Sequence, residues 1–482
     1  MTHSFDELGR PRLSVIGLGK LGAPLAAVFA ANGFSVIGLD LNAEAVEAVN
    51  ARRAPVAEPL LQAMIDRGRE RLRATTSFDE AVADTDVTFI IVPTPSDASR
   101  LFSNAYVVDA LTSVGGALRK KDSYHVVAVT STLIPGSMDG EIRLALERSS
   151  GRKVGVDLGL CYNPEFIALG SVVRDMLHPD LILIGQSDDR AGSVIETVQR
   201  ACVEGEPEFH RMSLVSAELA KIAINTFVTT KISYANMIGE MCDRLPGADA
   251  IAVTNAIGAD SRIGHKYLRP AIGYGGPCFP RDNKALAALG GKLGVNCAIA
   301  RATDEINDHQ LNRLMAAIES CAAPGDVIAI LGLSYKPDTG VIEESQGLAL
   351  AARLLSAGYE VVASDPLALP AAQSMLQSRA RLFDDPAAAV AEADVVVVTT
   401  PWPQFAKLFV PSSSRPARRL TVIDPWGIIK RPAAAGVPFH LVQLGAGAAA
   451  LEKRSGLIAG SEAAPRAKSH PRAACVTRSP QC

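Results

Sequence analysis

A glycine-rich segment near the start of the chain most limits what this sequence can fold into. A short β-branched run, Leu13–Ile16, leads into it, and an Ala-rich stretch and a second β-branched run, Phe34–Leu39, follow. The segment itself reads Gly17-Leu18-Gly19-Lys20-Leu21-Gly22. In such a pattern the first glycine permits a tight turn, the second leaves room for a diphosphate, and the third lets helix and strand pack closely. The sequence therefore predicts a strand–helix–strand unit that opens a parallel sheet.

An acidic residue follows the second predicted strand at the spacing of a dinucleotide site. Asp40 lies about 20 residues beyond the first glycines, where a carboxylate accepts hydrogen bonds from an adenosine ribose. Because that carboxylate would repel a 2′-phosphate, the sequence predicts NAD rather than NADP as the cofactor. The alternative is that the glycine segment forms a purely structural turn and binds no cofactor.

Two more segments, Val92–Pro95 and Ser131–Gly136, follow apolar strands. The carboxyl ends of strands face the ligand in an open α/β sheet, so both are expected at the cofactor edge, although either could be an ordinary turn. The predicted cofactor-binding residues are Gly17, Leu18, Gly19, Lys20, Leu21, Gly22, Asp40, Val92, Thr94, Pro95 and Thr132.

The length of 482 residues is too great for one hydrophobic core. A long gap without proline, Met212–Arg244, has apolar residues at helical spacing and predicts one helix of about 45 Å. Strand patterns resume beyond it. We predict an α/β fold with two Rossmann-like doubly wound domains joined by the long central helix. The expected segments are 1–208, a cofactor-binding domain; 209–320, a central helical and dimerisation domain; 321–450, a second Rossmann-like domain; and 451–482, a disordered tail.

Composition excludes several classes of function. The net charge is −3 and aromatic residues make up 5% of the chain, which argues against nucleic-acid or membrane partners. No apolar run reaches the roughly 18 residues that span a bilayer, and the N-terminus lacks a signal-peptide pattern, so a cytoplasmic location is expected. The eight cysteines show no CxxC pairing, so neither a disulfide framework nor a metal site is predicted.

One cysteine lies in an unusual context. Cys278 is part of Gly273-Tyr274-Gly275-Gly276-Pro277-Cys278-Phe279-Pro280-Arg281-Asp282, and a helix is predicted from Lys284 onward. A loop of this kind brings backbone close to a ligand and holds a thiol at its centre. Among the cysteines, only Cys278 has surroundings that suggest reactivity.

Three polar segments are further candidates, each with an ordinary alternative. Glu165 lies at the end of a predicted strand, in Asn163-Pro164-Glu165-Phe166. It is either an acid or base at the ligand cleft or an ordinary surface carboxylate. Lys221 and Asn225 are four residues apart on one helix face, where Lys221 could stabilise an oxyanion, although Glu218–Lys221 could also be a plain exposed turn. Lys336 closes the first strand of the second domain and either binds a diphosphate or is solvated.

Together these segments resemble the UDP-glucose/GDP-mannose dehydrogenase family, from the glycine fingerprint to about residue 430. The motifs that carry the resemblance are NPEF at Asn163–Phe166, AELAK…N at Ala217–Asn225, RIG..YL at Arg262–Leu268, GYGGPCFPRD at Gly273–Asp282 and LGLSYKPDTG at Leu331–Gly340. The resemblance implies a four-electron oxidation at C6 of a nucleotide sugar, with two NAD⁺ consumed, the first domain holding NAD and the second the UDP-sugar. It also implies a homodimer or higher homo-oligomer built on the long helix.

The resemblance assigns a role to each candidate residue. Cys278 would form a thiohemiacetal and then a thioester, and Lys221 would lower the pKa of this thiol. The implied catalytic residues are Cys278, Lys221, Asn225, Asp282, Glu165 and Thr132. The implied substrate-binding residues are Glu165, Phe166, Lys221, Asn225, Arg262, Tyr267, Gly273, Gly275 and Lys336, with Arg262 reaching across the dimer.

Some positions depart from the family pattern. Leu169 replaces an acid, Glu343 replaces an arginine, and Pro277 replaces a common serine before the cysteine. The absence of a His-Cys pair favours UDP-glucose as substrate over N-acetylated UDP-sugars. The alternatives are a GDP-mannose or UDP-N-acetylhexosamine 6-dehydrogenase, a two-electron hydroxyacid dehydrogenase and a non-catalytic nucleotide-sugar-binding protein.

Overall fold

The computed structural model describes residues 9–96, 101–409, 420–430 and 439–447. The predicted tail, 451–482, lies outside these residues. The strands within them are β1 Leu13–Ile16, β2 Val36–Leu39, β3 Leu72–Thr75, β4 Val87–Ile90, β5 His125–Val129, β6 Leu158–Tyr162, β7 Leu181–Gln186, β8 Glu208–Ser213, β9 Val327–Leu331, β10 Glu360–Ser364, β11 Arg381–Leu382, β12 Val395–Val398, β13 Leu420–Ile423 and β14 Phe439–Val442.

Helices cover both sheets and connect them. They are α1 Gly22–Ala31, α2 Ala43–Asn50, α3 Leu61–Gly68, α4 Phe78–Ala83, α5 Ala105–Leu118, α6 Arg143–Ser150, α7 Val172–Leu177, α8 Asp189–Arg200, α9 Leu214–Arg244, α10 Ala250–Gly258, α11 Phe279–Lys292, α12 Ala298–Glu319, α13 Gln346–Ser356, α14 Leu369–Leu376, α15 Pro386–Glu392 and α16 Pro403–Lys407. A π-helical turn, Met138–Ile142, precedes α6.

The first sheet has the strand order β3-β2-β1-β4-β5-β6-β7-β8. Its strands are parallel except where β6 and β7 pair antiparallel. The order reverses between β1 and β4, and ligands of open α/β sheets bind at such a point. The loops after β1, β4, β5 and β6 therefore lie at one edge, and these loops carry the predicted cofactor and NPEF segments.

The second sheet has the order β11-β10-β9-β12-β13-β14, and all of its strands are parallel. This order repeats that of the first six strands of the first sheet. Apolar β-branched strands such as Val395–Val398 are fully buried, as expected where helices cover both faces. The predicted fold of two doubly wound units is confirmed.

Helix α9 spans 31 residues and packs on α11 and α12. Its first turn is capped by Ser213, whose hydroxyl accepts from the amide of Ser216. The helix begins at Leu214, two residues inside the predicted span Met212–Arg244, because Met212 and Ser213 still pair in β8 with β7. Among the described residues, no helix combines the length and the apolar character needed to cross a bilayer.

Candidate active site

A cleft of about 450 Å³ lies where α9 meets the cysteine loop and the segment after β6. The helix supplies one wall, the loop after β6 a second, and the N-terminus of α11 a third. The predicted residues that line it are Glu165, Phe166, Lys221, Asn225, Tyr267 and Cys278. The fold thus brings six of the candidates, which span more than a hundred positions of sequence, to one cavity.

Lys221 and Glu165 form an ion pair inside this cleft. The Lys221 Nζ donates to Glu165 Oε2 at 2.9 Å and also to the Glu165 backbone carbonyl. The ammonium lies 4.6 Å from the centre of the Phe166 ring, and only 4% of Lys221 is exposed. A buried ammonium needs such partners because desolvation is costly. Lys221 is therefore held as a fixed donor rather than as a mobile surface charge.

A second polar pair lies one turn further along α9. Asn225 Nδ2 donates to Asp282 Oδ2 at 2.6 Å, and Asp282 is fully buried. The guanidinium of Arg281 contacts Asp282 Oδ1 at 3.2 Å and donates to the Thr94 carbonyl at 3.3 Å. Arg281 thereby joins the cysteine loop to the predicted cofactor segment. Arg281 is not among the residues predicted from the sequence, although its place beside Asp282 was a signal for a role in the site.

Cys278 is solvent-accessible and lies at the N-cap position of α11. Although the residue is exposed, the protein atoms around the sulfur desolvate it and raise the pKa of the thiol to about 11, and Asp282 and Glu165 add to that effect. Arg281 and Lys221 lower the pKa, but less strongly. Lys221 lowers the pKa of the thiol as expected, but desolvation, Asp282 and Glu165 outweigh its effect, so the net pKa is raised.

The cysteine loop packs against the second α/β domain. The Gly276 amide donates to the Glu343 carbonyl at 3.0 Å, and a side chain at Gly276 would lie 2.5 Å from the Tyr335 ring. A side chain at Gly275 would lie 2.1 Å from the Glu344 carbonyl oxygen. These contacts explain why glycine stands at both positions, because a side chain at either one would collide with the second domain. Glu343, the departure from the family pattern, contributes its backbone here.

Among the residues that the structure describes, three further predicted site residues lie outside the lining of the cleft. Thr132 is 8% exposed in the loop after β5. Lys336 lies outside it, and burial lowers its pKa while Asp175 acts in the opposite direction. Arg262 is exposed and forms an ion pair with Asp260 at 2.6 Å.

Gly273, the first residue of the cysteine loop and also predicted to bind substrate, is buried. A side chain there would lie 2.9 Å from Asn307 Oδ1 and 3.0 Å from Gln346 Oε1. Asn307 holds the adjoining backbone, since its Oδ1 accepts from the Tyr274 amide at 2.7 Å. In this structure Gly273 therefore serves close packing of the loop.

The glycine fingerprint has the shape that a dinucleotide requires. A side chain at Gly17 would lie 2.3 Å from the Ile91 carbonyl, and one at Gly22 would lie 1.8 Å from the Gly17 carbonyl. Nothing lies within 4 Å of the corresponding point at Gly19, so the backbone there is open to a ligand. Asp40 Oδ2 accepts from the Leu18 amide at 2.6 Å, which places the carboxylate beside this opening. These residues fit NAD.

The second domain carries a similar acid with a different function. Asp365 follows β10 as Asp40 follows β2, and its Oδ2 accepts from the amides of Leu333 and Ser334 at 2.7 and 2.9 Å. Asp365 is 1% exposed and its Oδ1 accepts two more amides. Because its acceptor capacity is used within the protein, it is unavailable to a ribose. Of the two acids, only Asp40 suits a dinucleotide.

A glycine fingerprint with an available acid, beside a cleft that holds a cysteine, defines an NAD-linked dehydrogenase. Comparison with known proteins gives the family. The chain matches the NAD binding, central and UDP binding domains of the UDP-glucose/GDP-mannose dehydrogenase family over residues 11–203, 215–309 and 329–431. It belongs to that family of nucleotide-sugar 6-dehydrogenases.

Individual relatives are named for different substrates. The chain is 37% identical to UDP-glucose 6-dehydrogenase AglM of Haloferax volcanii, over 82% of this chain and 92% of that protein. It is 33% identical to GDP-mannose 6-dehydrogenase of Pseudomonas aeruginosa, over 73% of this chain and 80% of that protein. A solved UDP-glucose dehydrogenase from Pyrobaculum islandicum superposes with a TM-score of 0.82 at 34% identity, covering 92% of this chain and all of that one.

Proposed function

We propose that this chain is a UDP-glucose 6-dehydrogenase that oxidises the C6 alcohol to a carboxylate through a covalent intermediate on Cys278. The overall change converts one UDP-glucose, two NAD⁺ and one water to UDP-glucuronate, two NADH and three protons. The observation that carries the proposal is the cleft in which an accessible thiol, the Lys221–Glu165 pair and the Asn225–Asp282 pair converge. A two-electron alcohol dehydrogenase would have no use for that thiol.

The thiol is suited to trap the aldehyde after the first oxidation. The Cys278 sulfur adds to the aldehyde carbon, a C–S bond forms, and the thiol proton moves to the former carbonyl oxygen. Lys221 and the Asn225 amide are donors that can stabilise negative charge on that oxygen. A thiol that is protonated at neutral pH requires a base, and Glu165, which contacts Lys221, and the buried Asp282 are the carboxylates at hand.

Hydrolysis completes the reaction. After the second oxidation the group on Cys278 is a thioester; water adds to its carbonyl carbon, the C–S bond breaks, and the thiol returns. Glu165 can accept the proton of the attacking water, and Thr132 is proposed to assist. Holding the intermediate covalently prevents release of a reactive aldehyde.

The cofactor site supports the same proposal. When bound, NAD⁺ accepts a hydride from C6 in each oxidation. The residues proposed to hold it are the open backbone at Gly19, the N-terminus of α1 for the diphosphate, and Asp40 for the ribose. The loops with Val92 and Thr132 follow neighbouring strands at the same edge.

The second domain and the oligomer are part of the proposal. We propose that Lys336 binds the diphosphate of the sugar nucleotide and that Arg262 contributes to the site of a partner subunit. Exposed apolar residues support a homodimer built on α9: Phe227, Tyr234 and Met241 are 67%, 46% and 53% exposed and recur every seven residues. Such a stripe on one helix face is typical of a helix that packs on a partner.

The test is the stoichiometry of the purified enzyme. UDP-glucose with excess NAD⁺ should yield two NADH per sugar and UDP-glucuronate by mass spectrometry. One NADH per sugar, or no turnover, would contradict the proposal. Parallel reactions with GDP-mannose and UDP-N-acetylglucosamine decide among the substrates of the relatives, since the preferred sugar has the highest kcat/KM.

The role of the cysteine is tested separately. Cys278→Ser should still bind both ligands but should stall before the acid is released, because the weaker nucleophile does not form a labile thioester. Cys297→Ser is the control, since that cysteine lies outside the cleft. Full acid production by Cys278→Ser would remove the covalent step from the mechanism.

A further inference from the structure

Glu218 lies on α9 one turn before Lys221 and is fully buried. The alternative that Glu218–Lys221 is a plain exposed turn is therefore excluded. Its Oε2 accepts from the Gly136 amide at 2.7 Å and its Oε1 accepts from the Met138 amide at 2.8 Å. Gly136 belongs to the loop that leaves β5, and Met138 is the first residue of the π-helical turn that follows this loop. A carboxylate of the catalytic helix therefore binds the backbone of the loop that carries Thr132.

The same loop is anchored at its other end. Ser131 Oγ accepts from the Val92 amide at 2.8 Å and donates to the Val92 carbonyl at 2.7 Å. Thr132 follows that anchor directly and lies four residues before Gly136. Its position is thus defined by two attachments, one to the segment after β4 and one to Glu218.

The chemistry of the second attachment depends on the charge and shape of Glu218. Two backbone N–H groups aim at two carboxylate oxygens, which a carboxamide cannot match because one of its ends is a donor. Burial raises the pKa of Glu218 to about 7, and the N–H donors of Gly136 and Met138 oppose that shift. An unsatisfied buried amide carries a penalty large enough to displace a short loop.

We propose that Glu218 is a positioning residue that fixes the Thr132 loop relative to Lys221 and so aligns the two sides of the reacting group. This inference rests on the proposed function, in which Thr132 and Lys221 act on the same C6 centre. Glu218 itself faces backbone and not the cleft, so it acts through Thr132.

The test is a double-mutant cycle with Glu218→Gln, Thr132→Ala and the combined variant, in the full-length enzyme with UDP-glucose and NAD⁺ at about pH 8.5, above the raised pKa of Glu218. Glu218→Gln should lower kcat by about tenfold or more, as expected when a charged hydrogen bond is lost, with KM changed by less than about twofold. The combined variant should be no slower than the slower single variant, because both changes remove the same function. Glu240→Gln, toward the other end of α9, should keep wild-type kcat.

Each outcome has a defined meaning. Multiplying effects in the combined variant, an unchanged kcat in folded Glu218→Gln, or an unchanged kcat in Thr132→Ala would overturn the inference. If Glu218→Gln does not fold, Glu218→Asp replaces it in the cycle with the same expected lack of additivity; failure of both to fold makes Glu218 a structural residue and also overturns it. A wild-type enzyme without turnover would instead contradict the proposed function.

Discussion

Lys221 reaches across the cleft from α9 and holds Glu165 at 2.9 Å, so the strand-end acid and the helix lysine form one unit. The pair holds the Lys221 ammonium near the Cys278 thiol, and the Glu165 carboxylate can still accept a proton. Neither member belongs to the cysteine loop, and the relationship exists only because β6 ends against the first turns of α9.

Removal of the lysine should affect the chemical step. Lys221→Met should lower kcat by about 100-fold or more, the range found when an oxyanion donor is removed. It also leaves Glu165 in the cleft without its cation, so KM for the nucleotide sugar should change less than kcat. Steady-state kinetics of Lys221→Met and of the exposed control Lys292→Met check this, and equal kcat values in the two variants would contradict it.

The protonated thiol of the free enzyme leads to a labelling prediction. Because the pKa of Cys278 is raised to about 11, its alkylation by iodoacetamide should accelerate with pH up to pH 10 without a plateau. Asp282→Asn removes the strongest charge that opposes the thiolate and should speed alkylation at pH 8 several-fold. Mass spectrometry of the peptide containing Cys278 measures the rate. A plateau near pH 7 in the wild type would show a thiolate that this structure does not account for.

The pattern of residues predicted the element order well but not the interactions between elements. The strands and the long helix could be predicted from the local spacing of apolar residues, and the glycine fingerprint from its motif. The first strand was predicted residue for residue. Helix α11 begins at Phe279 and not at Lys284, because Pro280 is tolerated in a first turn and does not delay the helix. The net rise of the Cys278 pKa was not predicted, because residue spacing cannot show how strongly the surrounding protein desolvates the thiol. The role of Glu218 could not be predicted from the sequence, because its buried partners are the backbone amides of Gly136 and Met138, 82 and 80 residues away.

Gly276 and Tyr335 offer a test of the contact between the cysteine loop and the second domain. Gly276→Ala places a methyl group about 2.5 Å from the ring, and its backbone φ of 84° is also unfavourable for alanine. Gly294→Ala is the matched control, since Gly294 has a φ of 70° and no neighbour within 4 Å. Gly276→Ala should lower kcat/KM about tenfold or more while Gly294→Ala changes only the melting temperature slightly. Adding Tyr335→Ala should restore part of the loss; equal effects of the two alanine variants would exclude the contact as a cause.

The exposed stripe on α9 predicts the response of the oligomer to charge. A combined Tyr234→Glu and Met241→Glu variant places two carboxylates on the face proposed to pack against a partner, and burying them would be costly. The wild type should sediment as a dimer or larger and this variant as a smaller species at the same concentration. Leu144→Glu, a similarly exposed apolar position on α6, should sediment like the wild type. A wild-type monomer, or an unaffected double variant, would place the interface elsewhere.

A buried histidine at the opposite end of the first sheet should make stability depend on pH. His125 is fully buried, its Nε2 lies 2.8 Å from Thr88 Oγ1, and burial together with Lys121 and Arg152 holds its pKa well below 6.5. Between pH 6.5 and the lower pKa of the folded state, His125 binds a proton in the unfolded chain but not in the folded chain. The free energy of unfolding therefore decreases as the pH falls through this range. For one group the decrease is at most about 1.4 kcal/mol per pH unit. Chemical denaturation from pH 7 to 5 should therefore show a smaller slope in His125→Asn than in the wild type, whatever the absolute stability of the variant. If the exposed-site control His265→Asn reduces the slope equally, a general charge effect and not the buried imidazole would be responsible.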